Sequence, residues 1–275
     1  MPVPRHALLA ATVALVAILG SAPPASAAPS RTAAPPVQGP AAIRPTWPHG
    51  ALPGFPRAAG PAATRGSRNW SGYVAADKPG SFTSVEAHWI QPVANCTGAT
   101  ADSVAALWVG LDGSRAGRGT VQQTGTTVSC VDGRPEYLAW YEMFPAEQVY
   151  YNDPVEPGDE LWARVAIIGT NRYELLLRNV TKKWTELSYA EPPEGADPKR
   201  ASAEVVVEAA SRVAGEPRVL TDFGTVSFTT AKVNGQPLGD SDPDEVTMVR
   251  DGIVRATPSP LTDGGTAFEL TWVAN

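Results

Sequence analysis

Beyond Asn69 apolar and polar residues alternate with a period of two, and that pattern restricts the fold more than any other feature. Residues 138–144 show it most clearly: Leu138, Trp140, Glu142 and Phe144 fall on one side of a strand, and Ala139, Tyr141 and Met143 on the other. Further strands are expected over residues 82–90, 103–110, 120–129, 160–168, 173–179, 183–190, 223–230, 245–250, 253–256 and 267–273, with Gly and Pro between them. Residues 201–210 have a helical composition, but Val205, Val206 and Val207 are β-branched and the segment alternates, so it also reads as a strand. No amphipathic helix interrupts this series. The fold class is all-β, a β-sandwich, with one domain over 69–275.

The N-terminus is built differently. Residues 1–27 carry Arg5, an apolar run over 7–19 and small residues at 25–27, the pattern of a secretory signal peptide too short to span a bilayer. An exported, extracellular protein is expected. Residues 28–68 hold nine prolines, and their only charged residues are Arg31, Arg44, Arg57, Arg65 and Arg68. Such a segment is a linker or a propeptide. The first acidic residue is Asp77, so 69–275 carries all 28 acidic residues against sixteen of the 22 basic ones, a net charge of −12. A basic segment ahead of an acidic domain fits an intramolecular inhibitor that docks by charge. The same acidity disfavours nucleic acid as a partner. No later segment reads as a membrane span, and nothing argues against a monomer.

Only Cys96 and Cys130 are present, and in an exported protein they are expected to form a disulfide. A zinc site lacks ligands, since His88 is the one histidine of the domain. A Ser–His–Asp triad would have to use that same residue, which reads as a surface or structural histidine. The Gly-rich 110–119 turn matches no nucleotide-binding spacing, so no cofactor or metal is expected. Asn69, Asn95 and Asn179 each begin an N-x-[ST] pattern.

Carboxylates remain. Glu142 shares a face with Trp140 and Phe144, where a charge is costly unless it is partnered. Glu204 and Glu208 share a face of the 201–210 strand, and by pattern alone that face reads as solvated, opposite a valine core face.

Five segments taken together are more specific. Trp108-Val109-Gly110-Leu111-Asp112-Gly113, Gln122-Gln123-Thr124-Gly125, Ala139-Trp140-Tyr141-Glu142-Met143-Phe144-Pro145, Ser202-Ala203-Glu204-Val205 and Asn69-Trp70-Ser71-Gly72-Tyr73 occur in the order found in the glutamic peptidases, or eqolisins. Asp222-Phe223-Gly224 is similar to a further element of that family. Met143, Phe144, Ser202 and Val205 depart from its pattern. The chain resembles this family, as a secreted bacterial member, over most of 69–230. The resemblance implies two bent antiparallel sheets of concanavalin-like or jelly-roll type, polypeptide substrates, and a catalytic pair at Gln123 and Glu204. Trp108, Asp112, Glu142 and Trp140 match supporting positions. Gln122 would face the other way and be dispensable.

What the resemblance implies is an acid-acting endopeptidase. A glutamate near its ordinary pKa of about 4.3 stays partly ionised in mild acid, takes a proton from water and returns it to the leaving amine. A glutamine stabilises the oxyanion. Asp112 and Glu142 would orient the pair by hydrogen bonds, and Trp108 would wall the cleft. The alternatives are a glycoside hydrolase using Glu204 with Glu142, which would not need Gln123, and a non-catalytic carbohydrate- or protein-binding sandwich.

Overall fold

The computed structural model describes residues 65–114, 119–213 and 216–275. The expected signal peptide, the 28–68 segment as far as residue 64, and part of the Gly-rich turn lie outside the described residues. In chain order the strands are β1 (Arg65–Ser67), β2 (Trp70–Ala76), β3 (Ser84–Ile90), β4 (Ser103–Asp112), β5 (Val121–Val131), β6 (Arg134–Phe144), β7 (Val149–Tyr150), β8 (Glu160–Gly169), β9 (Arg172–Asn179), β10 (Trp184–Ala190), β11 (Ser202–Glu208), β12 (Ser211–Val213), β13 (Glu216–Pro217), β14 (Thr225–Val233), β15 (Gln236–Pro237), β16 (Asp244–Arg250), β17 (Ile253–Pro258) and β18 (Phe268–Trp272). Within 201–210, Ser202–Glu208 form the strand that the β-branched valines favour, and the 160–179 hairpin is β8–β9.

Hydrogen-bonded neighbours follow the path β10-β9-β8-β3-β14-β18-β17-β16-β2-β11-β4-β5-β6-β7. The path doubles back on itself: β4 packs against β3 and β8, and β5 against β8 and β9, although these strands are far apart along it. The result is a sandwich of a back sheet (β10, β9, β8, β3, β14, β18) and a front sheet (β17, β16, β2, β11, β4, β5, β6, β7). The main apolar core lies between them and includes Trp89, Leu107, Leu175, Val205 and Phe228.

Cys96 and Cys130 are bonded, tying the loop after β3 to the end of β5. Of the three N-x-[ST] asparagines, Asn69 and Asn179 are buried and Asn95 is exposed. The last residues of the Pro-rich segment form β1, which runs parallel to β16 with Arg65 opposite Val246. The sequence Arg-Gly-Ser has no apolar alternation, so its composition gives no sign of a strand.

Candidate active site

Four neighbouring strands of the front sheet place the candidate residues in one row. Glu204 on β11 stands opposite Gly110 on β4, Gly110 opposite Gln123 on β5, and Gln123 opposite Glu142 on β6. Directly opposed residues of antiparallel strands point to the same face. Glu204, Gln123 and Glu142 therefore project from one face, away from the inter-sheet core, with no side chain at Gly110 between the first two. Glu204 and Gln123 are two strands apart, so their backbones are separated by about 9–10 Å.

The absence of a side chain at Gly110 is enforced. A Cβ built there would lie 2.7 Å from Cζ3 of Trp108 and 3.2 Å from the Gln122 carbonyl oxygen. The six-membered ring of Trp108 thus lies against Gly110 and forms the floor of the gap. Trp70 meets Trp108 edge-on, with centroids 5.1 Å apart. Trp140, Val206 and Trp108 belong to a second apolar cluster on this face. Gln122 points to the opposite face, as expected, and is buried there.

Glu142 has the partner that its aromatic surroundings demand: its Oε2 accepts a hydrogen bond from Gln123 Nε2 at 2.8 Å. This fixes the Gln123 amide, whose remaining N–H and Oε1 are free to meet a ligand; Oε1 has no partner among the described residues. Glu204 is fully buried, and neither of its carboxyl oxygens is in hydrogen-bonding geometry with a described residue. Burial therefore raises its pKa well above the usual carboxylate range. The nearby Ser202 hydroxyl pulls it partly back, Asp112 pushes it further up, and Arg65 lowers it. The expectation of a glutamate near its ordinary pKa does not hold for this closed arrangement. The expected solvated face of β11 is corrected too. Glu204 and Glu208 are buried, because both faces of this central strand are covered.

Asp112 does a different task from the one expected. Its carboxylate accepts from the backbone N–H groups of Lys199 (2.8 Å) and Ala201 (2.9 Å), and from the Thr120 hydroxyl (3.3 Å). It holds the segment that leads into β11 and acts on Glu204 only through its field. The φ of 66° at Asp112 ends β4 at this point. Its own pKa is raised by burial, against the opposing effect of these bonds.

His88 lies outside the site, on β3, with Nδ1 3.3 Å from Glu160 and its ring stacked on Trp162. Among the described residues no three His, Cys, Asp or Glu side chains group as metal ligands. Sequence reasoning did not find Arg65, whose guanidinium donates to Ser114 Oγ at 2.9 Å and lies 3.9 Å from Asp244. Its only sequence signal is its place in the basic segment.

The molecule is thus a β-sandwich that carries a glutamate and a glutamine on one face of its front sheet. The family model for the Peptidase A4 family matches residues 68–264, and the chain belongs to that family, the eqolisins. Among solved structures, scytalido-glutamic peptidase with a transition state analog inhibitor aligns with a TM-score of 0.65 at 22% identity, over 75% of this chain and 98% of that one. SCP-B, an eqolisin in complex with the tripeptide Ala-Ile-His, aligns with a TM-score of 0.60 at 22% identity, over 75% of this chain and 98% of that one. Aspergilloglutamic peptidase from Aspergillus niger aligns with a TM-score of 0.55 at 26% identity, over 62% of this chain and 100% of that one. No curated protein matches the chain. The protein is a glutamic endopeptidase.

Proposed function

We propose that this peptidase is secreted and acid-acting, and that it hydrolyses internal peptide bonds by direct attack of water, with Glu204 and Gln123 as its catalytic pair. The observation that carries this is the row in which the two side chains flank the gap above Gly110. Glu204 takes a proton from the attacking water and gives one to the departing amine. Gln123, held by Glu142, donates its free N–H to the developing oxyanion. Both groups are closed off in this chain. The roles above require an opened cleft, in which water restores Glu204 towards its ordinary pKa.

The closure bears on processing. Residues 1–27 are read as the signal peptide and 28–68 as a propeptide that inhibits in cis. Support comes from Arg65, which sits on β1 beside Asp244 and near enough to Glu204 to lower its pKa. That ion pair, at 3.9 Å between partly buried side chains, is the kind of charge contact by which the segment would dock. Burial favours the protonated form of Glu204 and so favours the closed state in acid. The docking of the segment thus rests on the arginine contacts.

A cleavage assay on a denatured protein substrate, from acidic to neutral pH, compares full-length protein with protein lacking 28–68. Gln123→Ala and Glu204→Gln are run in both forms. Acid-limited activity that needs both side chains, and appears sooner in the shortened form, is the expected result. Identical activity and pH profile in the two forms would remove the inhibitory role of the segment. Activity that survives Gln123→Ala would favour a paired-carboxylate hydrolase.

A further inference from the structure

We propose that Glu208 is a positioning residue of the peptidase site, seating the Trp108 indole beneath the scissile bond. This rests on Glu204 and Gln123 being the catalytic pair. Glu208 lies one turn of alternation beyond Val206 on the catalytic face of β11, and it is buried. Both of its oxygens are engaged. Oε2 accepts from Trp108 Nε1 at 3.1 Å, and Oε1 accepts from Asn69 Nδ2 at 3.0 Å. The two ends of the indole therefore serve different levels of the sheet. Its N–H is tied to Glu208, which stands opposite Ala106, while its six-membered ring lies against Gly110 in the gap between Glu204 and Gln123.

A carboxylate is a poor choice if the position only needs filling. A buried charge costs more than an apolar residue of similar volume, and its retention here is accounted for by the orientation it imposes. Asn69 completes the device: its carbonyl accepts from the Ala209 N–H at 2.8 Å, so the start of the domain is braced against the end of β11. Trp70, the next residue, closes on the free side of the indole. With its N–H released, the ring would move within the gap, and displacement of a reacting group by about 1 Å costs of order a hundredfold in rate.

The test uses acid-activated full-length protein and four forms: wild type, Glu208→Gln, Trp108→Phe and the double variant. Glutamine keeps the shape but supplies one acceptor for two donors. The expected result is a fall in kcat of about ten- to a hundredfold for each single variant, with KM within about twofold. The double variant should fall no further than the worse single, because both changes cut one tether. Losses that multiply, or a Glu208→Gln enzyme with the kcat of wild type, would overturn the proposal. If Glu208→Gln does not fold, Trp108→Phe alone decides between an unchanged kcat and the expected fall. A wild type whose activity survives Glu204→Gln would instead sink the catalytic reading on which the inference depends.

Discussion

The two sheets of this sandwich are made of the same kind of strand and solve burial differently. In the back sheet β9 and β10 alternate cleanly between inward and outward residues, and charged groups stay outside, as in the Arg164–Glu174 pair at 2.6 Å on β8 and β9. In the front sheet β4 and β11 are buried on both faces, and the second face holds Glu204, Glu208 and, through β5 and β6, Gln123 and Glu142. The back sheet follows the usual rule for a sheet with one wet face. The front sheet departs from it where chemistry is needed, and the departure costs stability. A fully buried carboxyl with no partner in hydrogen-bonding geometry among the described residues has little to offset its desolvation.

Substitutions at matched positions break the comparison most sharply. A Cβ at Gly125 would meet the Leu107 carbonyl oxygen at 2.1 Å and Trp108 Cβ at 2.7 Å, so Gly125→Ala forces the β4–β5 backbones apart. A loss of about 3 kcal/mol or more is expected in urea unfolding, whereas Thr185→Ala on the outward face of β10 should stay within about 0.5 kcal/mol. Equal effects at the two positions would contradict the account. The disulfide comes next. Reducing Cys96–Cys130, separated by 34 residues, removes about 3–4 kcal/mol in the chain-entropy model. A melting temperature that does not change on reduction would show that the loop it closes is held by other contacts.

A smaller effect is expected at the edge of the back sheet, where Glu186 on β10 has its pKa pushed up to about 7, first by burial and then by Asp153. A carboxyl whose folded pKa exceeds its unfolded one loses stability as pH rises from its ordinary value of 4.5 through the folded value of about 7. Glu186→Gln should therefore leave the melting temperature unchanged below pH 4 and raise it slightly at neutral pH. The side chain is partly exposed, so solvent screening keeps the gain modest. A rise at pH 3 as large as that at pH 7 would remove the electrostatic explanation.

The strands were legible because alternation and β-branched valines specify them locally. The face shared by Glu142, Trp140 and Phe144 was legible for the same reason. What could not be read is what depends on pairing between distant strands. Glu142 meeting Gln123, Gly110 vacating the space between Glu204 and Gln123, and Asp112 reaching the 199–201 backbone all follow from register. The burial of Glu204 and Glu208 was missed because alternation on β11 looks the same whether the polar face meets water or an aromatic cluster. The strand β1 was missed because its pairing is with β16, some 180 residues away in sequence. The family motifs located the candidate residues without revealing how each is held.

The most direct test of the central claim, that the front sheet holds Glu204 at a cost in stability because the reaction needs it, is one variant measured twice. Glu204→Gln is taken through thermal unfolding at pH 3 and pH 7, and through peptide cleavage in acid. Its folded pKa is raised, so the wild type is penalised as pH rises above the ordinary carboxylate value. Cleavage is expected to fall at least about a hundredfold, with a melting temperature near that of wild type at pH 3 and a higher one at pH 7. Retained cleavage, or a lower melting temperature at pH 7, would contradict the claim.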